Sequence, residues 1–317
     1  MHKLVRQIRF AISPFEDSAE VGANSYCAKP TADGLALFFA LWVELKGSVN
    51  PETGFVVNVS HIDKIVRDKA VGIFDEFIKQ YFTSSISLRP LRGKQSGSLA
   101  SLGTPGGGFE QIGQLLSKVW QTIEKDFLPA KIDSLTVELT PARKLAIKEN
   151  GGNMLYFSEK FEFAASHTLW NEKFSDDENY RVFGKCANRT GHGHNYIVEV
   201  TIKKGLAPTP EFIPAKAGSG GPVSPDPCGR GSEPGTKATG DSVLNAGDFE
   251  RIVEQNFIRI VDHKNLNADV EYFKKVNPTV ESIAEFAFKS LAGKLKPLEL
   301  DCVTVWENDR TFCSYRQ

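Results

Sequence analysis

Apolar and polar positions run through the chain in two rounds of the same order. Leu4 to Ala11 alternates loosely, as a strand does when one face is buried, and Leu35 to Leu45 is apolar and aromatic enough for a second strand. Asn50-Pro51-Glu52-Thr53-Gly54 supplies turn punctuation before a short strand predicted at Phe55 to Val59. From Ser60, a candidate N-cap, the period changes: Ile62, Ile65, Val66, Ala70, Ile73, Phe74, Phe77 and Ile78 recur at helical spacing. A second helix is predicted from about Phe109 to Phe127, then strands at Ser134 to Leu139 and Lys144 to Lys148. Glu16 to Asp33 and Arg89 to Gly108 read as loops.

The second round predicts strands at Leu155 to Ala165 and Tyr196 to Lys203, and helices at Asp248 to Ile260 and Pro278 to Leu291. Strands at Cys302 to Glu307 and Thr311 to Tyr315 close it. Gly205 to Asp241 is an insertion rich in Pro, Gly, Ser and Ala, too poor in apolar residues to order itself, so a mobile loop is expected there and its Cys228 is incidental. Short internal matches link the rounds in register. Arg9-Phe10-Ala11-Ile12-Ser13-Pro14 matches Glu162-Phe163-Ala164-Ala165-Ser166-His167, the run from Cys27 to Leu35 matches the run from Cys186 to His194, and Leu135-Thr136-Val137 matches Val303-Thr304-Val305. At 317 residues the chain is long enough for two domains, expected at 1–150 and 151–317.

Charge is nearly balanced, 38 Lys+Arg against 39 Asp+Glu, which gives no reason to expect nucleic acid or an acidic membrane as a partner. No apolar run approaches the roughly 20 residues of a membrane span. Met1-His2-Lys3 opens no signal peptide, so a cytoplasmic protein is the default expectation. Five cysteines, an odd number, argue against a disulfide framework.

The chemistry is concentrated between Phe163 and Tyr196. Residues two apart on a strand share a face, so His192 and His194 would project together, and His167 on a neighbouring antiparallel strand would complete three nitrogens. Three histidines with an open fourth position is the catalytic zinc arrangement, whereas a histidine-bearing surface turn is the plainer alternative. Gly191 and Gly193 leave room for close approach. Cys186 lies six residues before His192, where a nearby cation would favour the thiolate and make it a base or nucleophile; a buried structural cysteine is the alternative. Asp262 beside His263 pairs a carboxylate with an imidazole, fit either to move a proton or to finish a helix. Glu307 ends an apolar strand, where a carboxylate is costly unless it binds something or reaches solvent.

Phe183-Gly184-Lys185-Cys186, Gly191-His192-Gly193-His194-Asn195-Tyr196, Asp262-His263-Lys264-Asn265-Leu266-Asn267, Pro278-Thr279 and Glu307 together resemble the 6-pyruvoyltetrahydropterin synthase family. That family also includes the 6-carboxytetrahydropterin synthases of the queuosine pathway. The resemblance covers roughly 155–317 and implies zinc on His167, His192 and His194. It further implies proton abstraction by Cys186, a relay of Asp262 and His263, and substrate binding by Glu307 and Thr279, with Glu307 anchoring a pterin ring. The implied fold is α+β, the tunnelling fold: a four-stranded antiparallel sheet with two helices on one face, assembled as a homo-oligomer into a barrel. Here two such modules would stand in tandem. In the first, Pro14, Asp33 and Leu35 replace the three histidines and Leu139 replaces Glu307, so it would keep the fold without the site. The implied substrate is 7,8-dihydroneopterin triphosphate, a small molecule. The five residues between Cys186 and His192 resemble the 6-pyruvoyl enzymes, while the queuosine enzymes typically have fewer. A carboxytetrahydropterin synthase, or a zinc- and pterin-binding protein with little turnover, is the competing expectation.

Overall fold

The computed structural model describes residues 1–14, 36–87, 108–148, 153–206 and 246–317. Strand β1 (His2–Ile12) pairs along its length with β2 (Leu37–Gly47). Helix α1 (Val59–Ile65) runs through a π turn at Val66–Ala70 into α2 (Val71–Ser87), and α3 (Gly108–Ile123) follows. Strands β3 (Lys131–Thr140) and β4 (Arg143–Lys148) complete the first half. The second half begins with β5 (Met154–His167), helix α4 (Asp176–Phe183) and β6 (His192–Gly205). Then come α5 (Ala246–Val253), the short α6 (Arg259–Val261), the two-residue β7 (Lys264–Asn265), α7 (Leu266–Asp269) and α8 (Val280–Leu291). Strands β8 (Glu299–Asn308) and β9 (Thr311–Tyr315) end it.

These strands form one open sheet in the order β1-β2-β3-β4-β5-β6-β8-β9, with β7 alongside β5. All the long pairings are antiparallel, and the β4–β5 pairing, from Arg143–Glu159 to Lys148–Met154, joins the halves without a break. Both halves follow the same course of two strands, helices, two strands. Alternate strand residues face the helices. Phe10 and Phe39 meet Phe74 of α2 at ring-centroid distances of 5.1 and 5.6 Å, while Phe157 meets Phe249 of α5 at 5.2 Å. Burying each such ring contributes about 1.5–3 kcal/mol. The other face is laced by polar cross-strand pairs, among them Lys144 with Glu199 at 2.9 Å and Ser158 with Thr201 at 2.9 Å. No described helix is long and apolar enough to cross a membrane.

The structure departs from the sequence pattern in definable places. No strand forms at Phe55 to Val59: the Asn50 side chain accepts from the N–H groups of Glu52 and Thr53, Gly54 turns the chain at φ 74°, and Val59 already opens a helix. Asn58, not Ser60, is the N-cap, its side chain accepting from the Ser60 N–H. Helix α4 stands where no element was expected. The readings at Glu16 to Asp33 and Arg89 to Gly107, nearly all of the 205–241 insertion, and Cys27, Cys228, Asp33 and Leu35 lie outside the described residues.

The seam between the halves holds a buried ion pair. Arg143 on β4, 17% exposed, donates to Glu159 on β5, 9% exposed, at 2.7 Å, and also pairs with Glu250 of α5. Arg143→Ala would leave Glu159 buried without its counter-charge, so a loss of roughly 3 kcal/mol in urea denaturation is expected. Arg143→Met combined with Glu159→Leu should recover most of it, because no uncompensated charge then remains.

Candidate metal centre and active site

Register brings the histidines together. β5 ends at His167 just where β6 begins at His192, and the two are directly opposed; Ala165 opposes His194. All three imidazoles therefore leave the same face at the end of one hairpin. Their candidate ligand nitrogens lie within 4.8 Å of one another. His167 Nε2 and His192 Nε2 are 3.2 Å apart. Two nitrogens bound tetrahedrally at the usual zinc–nitrogen length would stand about 3.3–3.4 Å apart. Gly191 turns into β6 with φ 75°, and a Cβ there would sit 3.2 Å from the His167 carbonyl oxygen.

The protonation states suit a cation. His167 Nδ1 lies 2.7 Å from the Pro278 carbonyl oxygen, which fixes the proton on that nitrogen and turns the Nε2 lone pair inward. Burial lowers the pKa of His167 and of His192, helped by the neighbouring imidazoles, so the neutral, ligating forms are favoured. His194 Nε2 is buried without a hydrogen-bond partner, as a nitrogen awaiting an ion would be. The three residues fit a metal held by imidazole nitrogens.

Glu307, near the end of β8, reaches the same point: its Oε1 is 3.4 Å from His194 Nε2 and 3.7 Å from His167 Nε2. Cys186 sits in a 3-10 turn, Gly184–Ala187, directly after α4. The Leu169 N–H donates to the Cys186 carbonyl at 2.8 Å, and Thr168 Oγ1 to that of Asn188 at 3.2 Å, so the turn is tied to the chain leaving β5. Arg189 braces it from outside, its guanidinium 4.2 Å from the Trp170 ring centroid and 3.1 Å from Asp176. Burial, and then Glu307, push the Cys186 thiol pKa upward, which disfavours the thiolate. A bound cation would oppose that shift.

Asp262 and His263 form a contact pair at the end of α6. Asp262 Oδ1 accepts from the Ala164 N–H at 2.9 Å and Oδ2 lies 2.8 Å from His263 Nδ1. His263 is the one described non-glycine residue with positive φ, 55°, held there by its N–H bond to the Ala164 carbonyl at 2.6 Å. Its ring is 82% exposed. An open depression of about 450 Å³ connects it to His194 along Ala164, Ala165, Ser166 and Asn195. The Ala164 N–H, then His263, hold the Asp262 carboxyl below the usual range. That contribution is present above the unfolded value, about 3.9, and is lost as pH falls through the folded one. Urea stability measured from about pH 6 to about pH 3 should therefore fall more for the wild type than for Asp262→Asn.

Thr279 caps α8, accepting from the Ser282 N–H at 3.3 Å. Four further participants have no role expected from the sequence, although Asn267 and Pro278 fall within the quoted motifs. Asn267 bonds both the N–H and the carbonyl of Thr168, Asn277 accepts from the Trp170 N–H, and the Pro278 carbonyl orients His167. Asn179, fully buried, holds the 171–175 loop by four hydrogen bonds.

The 6-pyruvoyl tetrahydropterin synthase family model matches residues 156–213 and 231–317, the part that contains every residue of this site. Human 6-pyruvoyl tetrahydrobiopterin synthase is 34% identical over 170 residues, covering 53% of this chain and 97% of the human protein. This chain belongs to the 6-pyruvoyl tetrahydropterin synthase family. The Drosophila melanogaster protein named 6-pyruvoyl tetrahydrobiopterin synthase is 33% identical over 162 residues, 51% of this chain and 79% of its own. The solved Caenorhabditis elegans 6-pyruvoyl tetrahydropterin synthase aligns over 52% of this chain and 96% of its own at 26% identity, with a TM-score of 0.38. Residues 1–155 lie outside the segments that the family model matches.

Proposed function

We propose that this family member is a zinc-dependent lyase that converts 7,8-dihydroneopterin triphosphate to 6-pyruvoyltetrahydropterin with loss of triphosphate. The observation that carries the reading is the convergence of three strands on one point: Glu307 Oε1 of β8 lies 3.4 Å from His194 Nε2 of β6 and 3.7 Å from His167 Nε2 of β5. His167, His192 and His194 would hold the zinc, which when bound supplies Lewis-acid polarisation of the substrate's side-chain oxygens. Cys186, as thiolate, removes a proton from the acidified side-chain carbon. Asp262 holds His263 Nδ1, leaving Nε2 to deliver a proton at a second position. Glu307 grips the amino-imino edge of the pterin through two charge-assisted hydrogen bonds, with Thr279 nearby at the start of α8. Electrons shift within the substrate, so no external redox cofactor is required. The five-residue spacing after Cys186, and relatives named for the pyruvoyl reaction, favour this product over the carboxy compound.

Residues 1–150 and 151–317 are read as tandem tunnelling-fold modules, the first without a site. The outer edges of β1 and β9, the end strands of the sheet among the described residues, would pair with other copies, closing the open sheet into a homo-oligomeric barrel. Incubating the zinc-loaded protein with the substrate should release inorganic triphosphate stoichiometrically with loss of the dihydroneopterin absorbance. Absence of triphosphate release would overturn the reading.

A further inference from the structure

Tyr196 lies two residues beyond His194 on β6, so its ring leaves the sheet on the same face as the imidazoles. The pairing of Ile197 with Trp306 puts Tyr196 across from Glu307 on β8. Its ring stacks on Phe163 of β5 at 4.9 Å and stands edge-on to His194 at 5.5 Å and to His167 at 6.3 Å. Phe163 and the histidines thus fix the ring from two sides. The residue is 1% exposed, yet its hydroxyl has no hydrogen-bond partner. Buried hydroxyls are normally paired, and one left unpaired opposes folding. Phenylalanine would fill the same space without that cost.

The charges that the phenol feels are those of Glu307 and Cys186, both acceptors when ionised. Glu307 Oε1 lies 3.4 Å from His194 Nε2 and 3.7 Å from His167 Nε2, and with both imidazoles neutral neither contact holds the carboxylate. A carboxylate offers about four acceptor positions, so one that grips a ligand edge still has lone pairs for a second donor.

We propose that Tyr196 is a positioning residue for the ligand: its hydroxyl donates to Glu307 when that carboxylate grips the bound ring. The hydroxyl is left unpaired in the resting site and becomes paired on binding, so part of the cost of holding it is returned to affinity. The inference rests on the reading of Glu307 as the ring anchor, and it adds the donor that holds the anchor in its working orientation.

The test uses the full, zinc-loaded chain, with 7,8-dihydroneopterin as the binding probe, and compares wild type, Tyr196→Phe, Glu307→Gln and the double variant. Ligand-free Tyr196→Phe should melt at the wild-type temperature or above it. Its Kd for the probe should rise roughly tenfold, as for one lost hydrogen bond to a charged group. In turnover KM should rise while kcat stays within about twofold, the mark of lost binding rather than lost chemistry. Tyr196→Phe should cost little more when Glu307 is already Gln, because the two act through one contact. A melting temperature several degrees lower would mean that the hydroxyl is already paired in the resting protein, and overturns the proposal. Unchanged probe affinity, or additive losses in the double variant, overturns it equally and leaves the pterin reading standing. Failure of the wild type to bind the probe removes the pterin reading, and the inference with it.

Discussion

His194→Ala should strip the metal from the protein. Three imidazoles on one hairpin end supply every nitrogen of the cluster, and the two that remain cannot hold an ion with comparable strength. Changes to residues that only orient a ligand already cost about 10–100-fold in metal affinity, so loss of a ligand should exceed about 100-fold. Competition against a chromogenic chelator measures this directly, and lyase activity should fall in parallel. His61→Ala is the matched control: its ring contacts the Asp126 carbonyl on the first half, and metal content should not change. Retention of wild-type affinity by His194→Ala would place the metal elsewhere.

Cys186→Ala should separate chemistry from binding. Removal of a positioned general base costs typically 10²–10⁴ in rate, so kcat should fall by about that much while metal content and probe affinity stay level. The pH profile supplies a second signature. Burial and Glu307 raise the Cys186 thiol, so the thiolate fraction, and with it the wild-type rate, should climb with pH on the acidic limb. In Cys186→Ala that limb should vanish from the residual rate. A variant that keeps both rate and limb would assign proton abstraction to another group, and His263 would be next, since its imidazole already has Asp262 on Nδ1.

Much of this site was legible because it depends on strand periodicity. His192-Gly-His194 specifies a shared face by spacing alone, and Phe163-Ala164-Ala165-Ser166-His167 reads as an extended segment that ends in a histidine. The Asp262–His263 contact was visible as a dipeptide. Glu307 was legible as a costly charge on an apolar strand, but its approach to His194 depends on the β6–β8 register, which no local pattern encodes. The Pro278 carbonyl is backbone and carries no residue signal at all. Phe55 to Val59 misled because the alternation of Phe55, Val57 and Val59 has the strand period, yet Asn58 in their midst is a strong helix cap. No element is expected from the sequence pattern at 176–183, although Ser175 followed by Glu178 has the spacing of a capping box; Ser175 Oγ accepts from the Glu178 N–H at 3.2 Å.

The raised Cys186 thiol and the unpaired Tyr196 hydroxyl share one physical cause. Burial raises the Cys186 thiol, and it leaves the Tyr196 hydroxyl without a hydrogen-bond partner. On the function proposed above, the ion and the substrate would satisfy both groups at this centre. The local fold supports it through contacts remote from the chemistry, such as Asn267 on Thr168 and Asn179 across the 171–175 loop.

Mass-spectrometric product analysis after incubating the zinc-loaded protein with 7,8-dihydroneopterin triphosphate tests the assignment most directly. The account predicts triphosphate together with a tetrahydropterin that bears the pyruvoyl side chain, formed by the wild type and lost in Cys186→Ala. A carboxytetrahydropterin released with acetaldehyde, or unaltered substrate, would contradict it.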